Sequence, residues 1–308
     1  MKLSEIMEKE YETLSQINQK DVLKKKDIVS HLLDVTRNLF EQLIRRSESW
    51  EIMEIYKSMN SYLKNKLQKA EEITPERITE FSVRLAELQN EILFEKSGTI
   101  LSALINFHYE NTHYKEEYII VTNHLEKKVD YLAFNLKGNM RIRGDSHDFF
   151  AVEMEKGSII VEGNVNEIMY HFSGKIQVLG NALNRITTND PDSLLIIEKD
   201  AHGSIGSWTK GRTIILKGNA LEDVGFQMGA GDITIYGNVS RHVGFDMRGG
   251  KISVGNGVNG SVSTQNRRGT ITICGYAQDL EDNTKKYNLY NCKSTIRYNG
   301  KQLCPRET

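Results

Sequence analysis

The chain has three cysteines, no long apolar run and almost no net charge, and each shortage narrows what it is. Cys274, Cys292 and Cys304 are odd in number and show no C-x-x-C spacing. That argues against a disulfide framework and fits a reducing, cytoplasmic compartment. No histidine stands at ligand spacing from Cys292 or Cys304, so neither zinc nor another metal is expected. No apolar stretch reaches the length of about 18 residues that a membrane span needs, and the first residues lack the apolar core of a secretory leader. With 40 basic against 41 acidic residues, no overall field favours nucleic acid or an anionic membrane. The run Lys24-Lys25-Lys26 reads as a solvated helix start. Glycine is nearly missing from the stretch before Asn111, where Gly98 stands alone, and all the others follow it. Two parts of different character are therefore joined in one chain.

The glycine-rich part repeats. From Met140 to Ile273 the pattern apolar-x-apolar-x-Gly-Asn returns, closing at Gly144, Gly163, Gly180, Lys199, Gly218, Gly237, Asn256 and Gly275. Every step between closures has the same length, except that the step from Gly163 to Gly180 is two positions shorter. Four and two residues before each closure stand sixteen apolar residues: Met140 and Ile142, Ile159 and Val161, Ile176 and Val178, Leu195 and Ile197, Ile214 and Leu216, Ile233 and Ile235, Ile252 and Val254, Ile271 and Ile273. That alternation is the mark of a strand with one buried face. Gly138, Gly157, Gly174, Gly231, Gly250 and Gly269 stand six residues before closure, where a positive-φ corner is expected. Asp145, Asn164, Asn181, Asp200, Asn219 and Asn238 follow closure by one residue and are expected to bond their own turns.

One strand per repeat is too little for a propeller blade, and the leucine-rich frame is missing. Stacked coils of a parallel β-helix remain, and eight of them at the spacing of paired strands make a rod of roughly 38 Å. A second inward row is expected from Gly225-Phe226-Gln227-Met228 and Gly244-Phe245-Asp246-Met247, with Val152 and Met154 in the same register. These aromatic and thioether side chains read as core ladders rather than a cofactor box. Gly229-Ala230-Gly231 and Gly255-Asn256-Gly257 lack the following helix and Lys of a phosphate cradle and read as coil corners. No cofactor is expected.

The runs 218–238 and 243–254, with Gly-Asn-Ala, Val-Gly-Phe-x-Met and Gly-x-Ile-x-Ile or Gly-x-Ile-x-Val in fixed order, resemble the GXGXG repeat. That repeat occurs in the carboxy-terminal domain of the glutamate synthase large subunit and makes up the C subunit of formylmethanofuran dehydrogenase. The resemblance covers about residues 135–280 and implies a right-handed β-helix without catalytic residues of its own, one that packs against and stabilises catalytic partners. The activity does not come with it. Glutamate synthase begins its mature chain with a nucleophilic Cys where this chain has Lys2, and the chain is too short to add a flavin barrel, itself about 250 residues.

The amino-terminal part reads as amphipathic helices over about 27–46 and 50–69, with Ile28, Leu32, Val35, Leu39 and Leu43 on the first stripe and Met53, Tyr56, Leu63 and Leu67 on the second. A third begins with Thr74 as N-cap and Pro75 at the first helical position. Its Ile78, Phe81, Leu85, Leu88 and Ile92 are spaced like a coiled-coil seam. The expected fold is α+β in two domains. A helical domain (1–110), bundle or coiled-coil-like, leads through a junction and cap (111–135) to a right-handed parallel β-helix of about eight 19-residue coils (136–280). A carboxy-terminal cap or tail follows (281–308). Tyr118-Ile119-Ile120-Val121 and the stretch 294–300 are expected to cover the two ends, since an open stack must be shielded.

Little in the sequence points to chemistry, and an enzyme is not the favoured reading. The one arrangement singled out is Asp223 and His242, both five residues after closure in adjacent coils with Arg241 beside them. An Asp–His pair orients a general base; the same register makes an ordinary surface pair. The expected function is a non-catalytic scaffold or assembly subunit. Its β-helix presents a protein-binding surface, and its helical domain mediates docking or self-association as a homo-oligomer. Two alternatives stay open: an accessory subunit of a redox or amidotransferase complex, and a polymer-forming structural protein of bactofilin-like architecture.

Overall fold

An apolar residue every second position drives each repeat to hide one strand face from water, and at a fixed period the nearest shelter is the same face of the next repeat. The computed structural model follows that logic. It describes residues 28–44, 52–66, 72–88, 91–168, 172–187, 190–191, 193–262, 267–275, 277 and 295–304. Eleven strands form one sheet in chain order: β1 (Glu117–Val121), β2 (Asn139–Arg143), β3 (Ser158–Val161), β4 (Gly174–Val178), β5 (Ser193–Ile197), β6 (Lys210–Leu216), β7 (Ala230–Ile235), β8 (Lys251–Val254), β9 (Thr270–Ile273), β10 (Thr295–Tyr298) and β11 (Lys301–Cys304). The first ten are parallel, each strand on the one before, and most neighbours lie one sequence repeat apart, which makes the stack a β-solenoid. All sixteen expected inward residues are buried and pair in register, Ile214 to Ile233 to Ile252 to Ile271 for example.

Two further inward rows complete the walls. Val165, Ala182, Ala201, Ala220, Val239, Val258 and Ala277 bridge one another two residues after closure. Ile168, Ile186, Ile205, Val224, Val243 and Val262 form the other row. Both are single-residue bridges between bends, too short to show a strand alternation. Met228 and Met247 are buried as expected, but Phe226 and Phe245 are only half-buried and stack on each other on the outer corner. The reason is backbone: Gln227 and Asp246 lie in the left-handed region (φ 51° and 47°), which breaks the alternation that would send Phe and Met to one side.

The glycines serve two separate ends. Those six residues before closure, such as Gly157, Gly174 and Gly231, carry φ of 104°. The closing glycines Gly163, Gly180, Gly218 and Gly237 do not. There a Cβ would collide with a backbone carbonyl of the coil below, so close approach requires Gly.

Four helices precede the solenoid: α1 (Ile28–Ile44), α2 (Ile52–Lys66), α3 (Pro75–Val83) and α4 (Glu91–Thr112). Thr74 caps α3 as expected, accepting the Arg77 N–H at 3.3 Å. The expected third helix is not continuous. A 3-10 turn over Arg84–Glu87 and an extended Leu88 end it, yet Ile78, Phe81, Leu85 and Leu88 are all buried. Packing of α3 on β1 sets this geometry in place of a coiled-coil seam. Gly98 lies inside α4, because a Cβ there would strike the Asp130 carbonyl of the first coil. One apolar core runs without a break from the helices into the solenoid.

The ends are closed differently. The Thr79 hydroxyl of α3 donates to Ile119 O (2.8 Å), and the Val121 N–H donates to Ser82 Oγ (3.0 Å), which satisfies the outer edge of β1. The segment expected as a junction thus contributes a regular first strand, and helix α3 caps it. At the far end Asn299 and Gly300, both at positive φ, turn the chain so that β11 returns antiparallel to β10. Among the described residues no helix is long and apolar enough to cross a membrane.

Candidate functional site: the lateral faces of the solenoid

Stacked coils place residues one repeat apart directly over one another, so any lateral site must be built from columns. The column after closure shows what such columns do here. The N–H of Asn164, Asn181, Asp200, Asn219 and Asn238 donates to the side-chain Oδ1 of the residue one coil below, at 2.6–3.1 Å. The amide groups of Asn181, Asn219 and Asn238 add a second bond to the same oxygens at 3.1–3.2 Å. These side chains therefore bond the neighbouring coil, not their own turn.

Asp223 and His242 do lie in adjacent coils, and the structure brings them into contact. The contact runs from the His242 backbone N–H to Asp223 Oδ1 (3.2 Å), while His242 Nδ1 accepts the Ser261 N–H (3.3 Å). Carboxylate and imidazole thus each hold the backbone of the next coil, as the asparagines do. Arg241 sits alongside, with Nη1 bonded to Glu222 Oε2 (2.5 Å) and Nε 3.8 Å from Asp223 Oδ1. The Glu222 hydrogen bond, with the charges of Asp223 and Glu222, raises the Arg241 pKa. The arrangement is a lateral salt-bridge and ladder cluster whose imidazole Nδ1 is already engaged.

Sequence reasoning did not single out Arg212. Six residues before closure, where other coils have Gly, the exceptions are Ser193 and Arg212, and they meet: Arg212 Nε donates to Ser193 Oγ at 2.7 Å. In that coil the positive-φ glycine shifts by one residue to Gly211 (φ 111°), and the pairing of β6 with β7 slips at Lys210–Thr213. Arg212 is 1% exposed, with its guanidinium 3.5 Å from the Phe172 ring centre and Nη2 donating to Phe172 O (3.2 Å). Burial lowers its pKa to about 9. The signal was available as a break in the glycine column.

A second cluster lies where α4 meets the first coils. Asp130 Oδ1 accepts the Asp148 N–H (3.0 Å), Asp148 bonds the Asn166 side chain, and Asn184 Nδ2 continues to Asn166 Oδ1 (2.7 Å). Burial pushes Asp130 up to about 6, opposed by the Asp148 N–H hydrogen bond and Lys128 and reinforced by the charges of Asp148 and Glu95. Burial pushes His147 down. Among the described residues no group of three or more His, Cys, Asp or Glu side chains is placed to hold a metal. Cys274 is a free, exposed thiol, and Cys292 lies outside the described residues.

The outer corner holds the aromatic side chains. Trp208 meets Phe226 edge-on (5.4 Å, 84°), and Phe226 stacks on Phe245 (5.6 Å, 12°). Beside the rings a polar chain runs from Trp208 Nε1 to Gln227 Oε1 (2.8 Å) and from Gln227 Nε2 to Asp246 Oδ2 (3.0 Å). Trp208 is 48% exposed and Tyr236, in the bend after β7, 59%. No protein-family model matches the chain, and no curated protein matches it.

Proposed function

We propose that the protein is a non-catalytic scaffold or assembly subunit, with the solenoid presenting a protein-binding surface and the helical part mediating docking or self-association in the cytoplasm. One observation carries this reading. The polar columns on the solenoid walls, Asp223 and His242 included, are engaged with the backbone of the neighbouring coil. Such columns stiffen a rod and leave exposed Trp208, Tyr236, Leu183 and Leu221 as its recognition features. The reading takes the chain as a two-domain, right-handed member of the GXGXG-repeat type, on the Gly-Phe-x-Met coils at 225–228 and 244–247. The same coils favour the second reading, an accessory subunit of a redox or amidotransferase complex. Against a polymer of rods joined end to end stand the α3 side chains on the β1 edge.

Size-exclusion chromatography with light scattering, followed by pull-down mass spectrometry from the native cells, tests these readings together. A defined oligomer, or a stoichiometric protein partner, is expected. A small monodisperse oligomer without partners removes the accessory-subunit reading, and filaments in negative stain replace the scaffold with a polymer. An enzymatic activity lost in a folded His242→Ala chain overturns the non-catalytic reading altogether.

A further inference from the structure

We infer that the corner carrying Trp208, Phe226 and Phe245 is a docking strip for an extended acidic segment of a protein partner. The inference rests on the scaffold reading and names the surface that reading uses. Trp208, Gln227 and Asp246 occupy one column, and all three sit in the left-handed backbone region (φ 57°, 51° and 47°). Trp there is unfavourable, and a small polar residue or Gly would serve the turn better. The chain accepts that cost and leaves the indole half in water.

Two positions further along, the next outward column reads Lys210, Gly229, Arg248, Arg267 in successive coils. The three cations are exposed, Arg267 at 69% for its side chain. One carboxylate, Asp246, mostly buried, faces two of them: Arg248 Nη2 at 3.4 Å and Arg267 Nε at 3.6 Å. Among the described residues positive charge is left over in the column. Gly229 interrupts the column for no reason of the fold. Its φ is ordinary, and a Cβ would meet nothing nearer than Thr209 O at 3.5 Å and Lys210 Cγ at 3.6 Å. Most other glycines of the solenoid would clash or strain. The missing side chain leaves a shallow gap in the column beside Lys210.

The chemistry selects the occupant. Nucleobases and sugars need free ring faces, but Phe245 covers a face of Phe226, and the Arg185 guanidinium lies over Trp208 at 5.9 Å. The indole N–H is also spent on Gln227. The ring edges carry positive partial charge that suits carboxylates. Lys210 to Arg267 spans three coil steps, about 14 Å, which matches residues i and i+4 of an extended chain at about 3.3 Å each. An acid–x–aliphatic–x–acid segment places its carboxylates on the two end cations and its apolar side chain between Gly229 and Arg248, against the gap that Gly229 leaves.

The test uses the full chain and a fluorescein-labelled Glu-Ser-Leu-Ser-Glu peptide, read by anisotropy in low salt. Binding is expected to weaken about tenfold in Gly229→Leu and in the Arg248→Glu/Arg267→Glu double variant, and to fall with added salt. Circular dichroism melts confirm that both variants keep their fold. Absence of peptide binding at millimolar concentration, or equal binding by both variants, overturns the strip. So does an oligo-dT strand or a sulfated glycan that binds more tightly than the peptide and is lost in Gly229→Leu. If a captured partner stays bound to both variants, the strip is wrong while the scaffold reading stands.

Discussion

Asp130 lies where the first coil touches α4, and its carboxyl is pushed up to about 6, chiefly by burial. In the unfolded chain it titrates near 3.8. The folded state therefore holds the proton more tightly, and the stability this residue gives is present below about 4 and lost as pH rises through about 6. The residue is half-buried, so the effect is discounted to about 1 kcal/mol. Urea midpoints between pH 4 and 7 should fall with pH in the wild type and stay flatter in Asp130→Asn; parallel curves would show that the site is not desolvated. At this scale the sequence was legible wherever a side chain had to leave water. Each of the sixteen apolar positions repeats the same demand, so period alone exposes it. The Asn and Asp column was visible but its use was not, because the bond joins residues a full repeat apart and spacing does not say whose N–H is taken. Phe226 and Phe245 went outward because a left-handed residue sits between each Phe and its Met, and no composition rule flags Gln or Asp for that role. Arg212 was hidden by a one-residue shift of the corner glycine to Gly211.

Among elements, the least expected is α3, which serves as an edge strand made of side chains. Thr79 and Ser82 stand three apart on its surface and match one carbonyl and one N–H of β1. The Thr79→Val/Ser82→Ala double variant leaves both backbone groups unpaired at about 1–3 kcal/mol each. Amide exchange at Val121, whose N–H donates to Ser82, should speed up markedly while the amides of β7 and β8 stay protected. Uniform acceleration along the whole sheet would show instead that the solenoid opens as one unit. The expected coiled-coil helix failed here for the same reason. Its seam residues Ile78, Phe81, Leu85 and Leu88 are buried as the spacing required, but against β1 and the neighbouring helices, and the helix ends at Val83 to make that fit; the Ile92 side chain lies outside the described ones. A stripe of apolar residues reports that a face is hidden, not which element hides it.

For the molecule as a whole, the unbroken core from α1 to β9 means the helices and coils shelter one another. A chain beginning at residue 114 loses the cover over Tyr118 and Ile120 and bares the β1 edge. Light scattering should find it in larger assemblies than the full chain at equal concentration; an unchanged mass would show that β1 needs no cap. The hairpin at Asn299–Gly300 has the opposite bearing. A parallel strand offers its neighbour a template of the same polarity, and β11 reverses that polarity. The stack thus stops at a set number of rungs, nine steps from β1 to β10 or about 43 Å. A rod of fixed length with unlike ends sets the separation of its helices from its hairpin by the number of repeats, and deleting one coil would bring them about 4.8 Å closer.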